Sequence, residues 1–145
     1  MILLDSNIYI RSFNDPAFAD EFRRFHQTNL PQLVLSAVVL SELLVGADSP
    51  DRERALRRAI VDPFAARNRI HVPRRQTWET AAGVDRRIRA LGGFEGSLAQ
   101  RSFFHDVLIA ASARELGATI VTQNLADFRL IRRVLDLRFE APWPG

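Results

Sequence analysis

Three acids interrupt otherwise apolar stretches of this 145-residue chain. Asp5 directly ends the run Ile2-Leu3-Leu4, Glu42 lies inside the apolar stretch at 37–45, and Asp106 precedes Val107-Leu108-Ile109-Ala110-Ala111. Each has an ordinary local role open to it. Asp5 can cap the turn that follows it, Glu42 can sit on a solvated helix stripe, and Asp106 can be a first-turn acid favoured by the helix dipole. The joint pattern suggests more. Clustered carboxylates repel one another, and burying unpaired charge is costly, so such a cluster persists when a cation neutralises it. Oxygen donors without thiolates or a histidine cluster suit a hard ion, Mg²⁺ or Mn²⁺. One or two such ions would polarise a phosphodiester, activate water and stabilise the leaving oxygen. The expected catalytic set is Asp5, Glu42, Asp106 and Asp127, with Asp5, Glu42 and Asp106 as the metal ligands.

A second polar group follows at 122–127. Thr122 and Asn124 come directly after an apolar strand-like run, where they could orient an activated water or touch phosphate, and Asp127 could add a fourth carboxylate. Asn124 is also a suitable helix N-cap. Ser6 and Asn7, adjacent to Asp5, are candidates to orient it or to position substrate, because ligands need orienting partners. No histidine pairing is visible that would make Ser6 a nucleophile.

The elements that must hold these residues follow from hydrophobic spacing. Residues 2–4, 33–36, 69–73 and 118–122 read as short buried strands, and 137–140 as an edge strand. Pro16 opens a helix with Phe18, Phe22 and Phe25 on one face, stopped at Asn29-Leu30-Pro31. A helix at 38–45 ends at Gly46. The next is capped by Asp48-Ser49-Pro50-Asp51 and carries Leu56, Ile60 and Phe64 on one face, with Pro63 expected to kink or end it. Helices at 77–91 and 105–116 stop at Gly92-Gly93 and Gly117, a helical turn surrounds Asp127, and 94–101 reads as loop. Alternating strands and helices imply a mostly parallel sheet of four to five strands covered on both faces. In such sheets function collects at the carboxyl ends of the strands, where Asp5 and Asp106 can meet with Glu42 close by.

The length fits one domain spanning 1–145. With 47% hydrophobic and 26% charged residues the composition is that of a globular protein rather than a disordered one. There is no cysteine, which excludes disulfides, thiolate metal sites and cysteine nucleophiles. The amino terminus lacks a basic leader segment and its apolar run is too short for a signal peptide or membrane span, so a cytoplasmic location is expected. The net charge is +3, and all twenty basic side chains are arginine. Arginine suits bidentate contacts to phosphate, although a coding bias would give the same count.

The motifs together resemble the PIN-domain family, and within it the VapC-type toxins. Leu4-Asp5-Ser6-Asn7-Ile8 resembles the family's leading L-D-[ST]-[NS] segment, and residues 36–46, SAVVLSELLVG, resemble S-x-x-x-x-E-[LI]-x-x-G with its acid at Glu42. Residues 104–111 resemble D-x-x-I-A-A with its acid at Asp106, and 122–128 resemble the closing T-x-[ND]-x-x-[DEH]-F segment. The resemblance implies a PIN-like three-layer α/β/α sandwich, Mg²⁺ or Mn²⁺ dependence and cleavage of single-stranded RNA. It also implies a homodimer and inhibition by a cognate antitoxin whose tail enters the site. Asn124 and Asp127 are equal candidates to complete the acidic set, and Gln123 stands where arginine is common in the family.

Other residues have default structural readings. His105 is expected to turn away from the acids, and His26 and His71 to be structural. Trp78 is expected in core or dimer packing, and Trp143 to pack the tail down. Arg11, Arg86, Arg87, Arg89 and Arg101 could hold phosphates but read individually as solvated side chains. Three functions stay open on the residues alone: a metal-dependent endoribonuclease, a non-catalytic RNA- or antitoxin-binding module, and another acidic-cluster enzyme. The last class includes a phosphatase, disfavoured because lysine is absent, and a structure-specific DNA nuclease.

Overall fold

A computed structural model describes residues 1–93 and 101–143. Five strands form one parallel sheet in the order β3-β2-β1-β4-β5: β1 (Ile2–Leu4), β2 (Leu33–Ser36), β3 (Ile70–His71), β4 (Thr119–Val121) and β5 (Arg138–Glu140). The first strand is central, pairing Leu3 with Val34 of β2 and with Ile120 of β4. Leu3, Leu4, Leu33, Leu35, Ile120 and Val121 are all buried. That is why these runs are continuously apolar instead of alternating: helices flank the sheet, and neither face meets water.

The helices are α1 (Ser6–Asn14), α2 (Pro16–Asn29), α3 (Ala37–Gly46), α4 (Pro50–Leu56), α5 (Asp62–Ala66), α6 (Arg75–Leu91), α7 (Arg101–Leu116) and α8 (Leu125–Arg132). The architecture is the α/β arrangement anticipated from the strand and helix alternation, with two local differences. Residues 6–14, to which the spacing assigns no helix, form α1. Pro63 does not end its helix. A π-helical segment, Arg57–Val61, leads into α5, which carries Pro63 in its first turn and runs on to Ala66. An N–H is dispensable in a first turn, so proline is tolerated there. The loop reading at 94–101 lies outside the described residues up to position 100, while Arg101 belongs to α7.

Two helix groups carry the site. In one, α1 packs on α2 and α3; in the other, α7 packs on α6 and α8; a contact between α3 and α7 joins them. The cores of these contacts are Ile8, Tyr9, Val39 and Leu43 on one side and Ile88, Phe103, Val107, Leu108 and Phe128 on the other. The strand order reverses at β1: the chain steps from β1 to β2 and β3, then returns to β4 on the other side. The carboxyl ends of β1 and β4 therefore flank the topological switch point, where the two chain directions leave a crevice. Among the described residues no helix is long and apolar enough to cross a membrane.

Candidate active site

Asp5 and Thr122 leave the sheet side by side at this switch point. The Asp5 N–H continues the ladder by bonding the Val121 carbonyl at 2.9 Å, and the Thr122 N–H bonds the Glu140 carbonyl at 3.1 Å. Asp5 then turns the chain into α1 as its N-cap, its Oδ1 accepting from the Ser6 N–H at 2.8 Å. The other carboxylate oxygen, Oδ2, accepts from the Thr122 hydroxyl at 2.8 Å and from the Asn7 amide at 3.2 Å. Asp5 is thus both a cap and a member of the acid group. Burial pushes its carboxyl above the ordinary value, while the bonds from Thr122, Ser6 and Asn7 hold part of that rise in check.

The Thr122 hydroxyl also accepts from the Asn124 N–H at 2.9 Å, and Asn7 Oδ1 accepts from the Gln123 N–H at 3.2 Å. Thr122 is fully buried, so it cannot touch phosphate as the sequence reading allowed; its hydroxyl ties the β4 turn to Asp5. Asn124 stands at the N-cap position of α8 but its side chain does not cap. Its amide donates to Asp106 at 2.8 Å and to Asp127 at 2.9 Å, spanning two carboxylates. Asn124 and Asp127 thus both sit in one hydrogen-bonded set with Asp106.

Asp106 lies beyond the first turn of α7, which has no acid in that turn, so the helix-dipole reading does not apply. It is buried, and its carboxyl is pushed up to about 9 by that burial and then by the charges of Asp5, Asp127 and Glu42. Glu42 sits in the middle of α3 with its side chain 23% exposed, so it is not on a solvated stripe. Burial and the Asp5 charge push its carboxyl up as well, opposed by His105 and the Ser6 hydroxyl. Its Oε1 is buried and accepts no hydrogen bond.

Four acids from four parts of the chain thus share one neighbourhood at the carboxyl edge of the sheet. Among the described residues no three acidic or imidazole groups yet converge closely enough to hold an ion as they stand. The chemistry of the group still fits a hard divalent cation. The donors are all carboxylate or amide oxygens, a buried carboxylate oxygen on Glu42 is unshared, and the cluster raises the proton affinity of its own members, as a missing positive charge would.

His105 does not turn away from the acids; its Nδ1 lies 3.7 Å from Glu42 Oε2. The sequence signal was its place beside Asp106, one step round the helix. His26 packs between Phe22 and Phe64, with ring centroids at 5.3 and 5.8 Å, as a structural residue. Trp78 is 47% exposed beside Phe104 and not in the core, whereas Trp143 stacks on Phe18 and Phe25 and holds the tail against α2. Arg11 lies over the Phe18 ring and meets Asp15, and Arg89 meets Asp85. Arg86 and Arg87 are exposed on α6, and the Arg101 side chain lies outside the described residues.

A parallel sheet with acids gathered at its switch point defines a class, and comparison with known proteins gives it a name. The PIN domain family model matches residues 2–134. The chain is 32% identical over 142 residues to the tRNA(fMet)-specific endonuclease VapC of Shigella flexneri, covering 95% of each protein. It also resembles the VapBC-1 structure from nontypeable Haemophilus influenzae, at 25% identity and TM-score 0.68 over 97% of this chain and 98% of that one. A DNA-bound VapBC from Salmonella typhimurium matches at 28% identity and TM-score 0.64, over 97% and 96%. The chain belongs to the PIN-domain family, alongside its VapC-type proteins.

Proposed function

We propose that this protein is a Mg²⁺- or Mn²⁺-dependent endoribonuclease that cuts single-stranded regions of RNA and acts as the toxin of a toxin–antitoxin pair. The observation that carries the reading is the carboxylate group at the switch point, in which Asp106 is pushed up to about 9 by burial and by Asp5, Asp127 and Glu42. The Shigella relative, a tRNA(fMet)-specific endonuclease, supports nuclease chemistry, and the VapBC relatives support an antitoxin partner.

Asp5, Glu42 and Asp106 would hold the cation, with Asp127 as the fourth acid. When bound, it supplies charge neutralisation at the scissile phosphate and a more acidic water. The chain's own groups do the positioning. Thr122 and Asn7 fix one oxygen of Asp5, and the Ser6 N–H fixes the other. Asn124 keeps Asp106 and Asp127 at a set separation. Holding acids in place before substrate arrives reduces the reorganisation that reaction would otherwise require. A homodimer, a cognate antitoxin and a cytoplasmic site of action complete the proposal.

The test is incubation of the purified protein with single-stranded RNA and Mg²⁺ or Mn²⁺, with and without EDTA, beside Asp5→Asn and a matched DNA oligonucleotide. Cleavage of RNA that needs both the metal and Asp5 is expected. RNA binding that ignores chelator, with no cleavage, would replace the enzyme with a binding module, and preferential cutting of DNA would change the substrate class.

A further inference from the structure

The four acids are not equally supported. Asp5 receives three hydrogen bonds and Asp106 and Asp127 share the Asn124 amide, each at 3.2 Å or less. Glu42 receives none of these. Its Oε1 accepts no hydrogen bond of ordinary geometry, and the Ser6 hydroxyl near the carboxylate lowers its proton affinity. Among the described residues, the cationic or N–H-bearing side chain facing its other oxygen is His105, with Nδ1 3.7 Å from Oε2. His105 is itself braced: Phe103 and Val107 on the same helix are buried, and Phe104 meets the Trp78 ring at 6.2 Å. The ring is 31% exposed and the Glu42 side chain 23%, so the contact sits at the mouth of the site, between α3 and α7.

We propose that His105 is a positioning residue: by engaging Oε2 of Glu42 it sets the carboxylate so that the buried Oε1 stays unshared and available to a divalent cation. This deepens the nuclease reading and rests on it. An N–H on Nδ1 faces the carboxylate in a neutral ring of the right tautomer as well as in a charged one, so the role needs no change of protonation. At 3.7 Å the contact is longer than a direct hydrogen bond and orients the carboxylate through the polar N–H and its proximity. Partners that orient a metal-holding group typically change metal affinity by about 10–100-fold when removed.

The experiment is Mn²⁺ titration of the purified protein, read by the electron paramagnetic resonance of free Mn²⁺, for the wild type, His105→Ala and His105→Asn, with circular dichroism to confirm folding. The asparagine amide nitrogen falls near the place of Nδ1. Affinity is expected to drop about 10-fold in His105→Ala and to recover to within about 3-fold in His105→Asn. An alanine variant that binds Mn²⁺ like the wild type would overturn the assignment, and so would an asparagine variant as weak as alanine, which would mark a role in packing. Failure of the wild type to bind Mn²⁺ would instead overturn the nuclease reading, and this inference with it.

Discussion

Asp106 holds its proton far above the ordinary carboxylate range, at about 9 against 3.8, because it is buried among Asp5, Asp127 and Glu42. The consequence for stability has a definite sign. Between those two values the folded protein holds a proton that the unfolded chain has released, so stability falls as pH rises across that window. Metal-free protein should therefore lose melting temperature from about pH 4 to about pH 9, and Asp106→Asn, which keeps an oxygen to accept from Asn124, should flatten the profile. At pH 8 the variant should melt at least about 2–4 °C higher than the wild type, the shift that about 1 kcal/mol produces in a chain of this size. A lower melting temperature would mean that the carboxylate is needed for structure. Thr122 gives a second test at this scale. Thr122→Val keeps the shape but strands the Asn124 N–H and leaves Asp5 Oδ2 with only the Asn7 amide, so a loss of about 1–3 kcal/mol is expected in urea denaturation. Thr122→Ser keeps the hydroxyl and should lose much less.

At the scale of elements, the strand-to-helix junctions do the positioning. Ser36 ends β2 and caps α3, its hydroxyl accepting from the Val38 N–H at 3.1 Å while fully buried. That junction sets where Glu42 emerges one and a half turns later. Ser36→Ala should cost about 1 kcal/mol, seen as a lower urea midpoint at unchanged slope. The parallel strands, the capped helices and the acids at their ends were legible because each is a local pattern: an apolar run, a cap, a stop. Helix α1 was not legible. Its residues Ser6, Asn7, Ser12 and Asn14 are poor helix formers, and what holds it is the Asp5 cap together with Ile8 and Tyr9 buried against neighbouring helices. Pro63 does not end its helix for a related reason: proline breaks a helix interior but fits the first turn of the segment that follows a change of helical register.

For the whole molecule, the proposed cation and the tail would act on the same folding equilibrium. A cation bound only by the native state would stabilise it by an amount that grows with the logarithm of free cation, about 2.7 kcal/mol at 100 times its dissociation constant. Mg²⁺ or Mn²⁺ should raise the melting temperature of the wild type, EDTA should reverse the rise, and Asp5→Asn should abolish it. The chain's end is held by Trp143, whose ring lies 4.0 Å from that of Phe25 and 5.8 Å from that of Phe18. Trp143→Ala should lower stability by about 1 kcal/mol or more, measured by thermal denaturation, because each such ring pair contributes about 0.5–1.5 kcal/mol. The sequence by itself determined the α/β alternation and the identity of the acids, because a charged residue inside an apolar run is visible without any partner. Tertiary structure decided what each polar neighbour does. Thr122 meets Asp5 across 117 positions, Asn124 meets Asp106 across 18, and His105 on α7 turns toward Glu42 on α3. Those pairings arise only when the sheet sets β1 beside β4 and the helices pack over it, and no spacing along the chain encodes them.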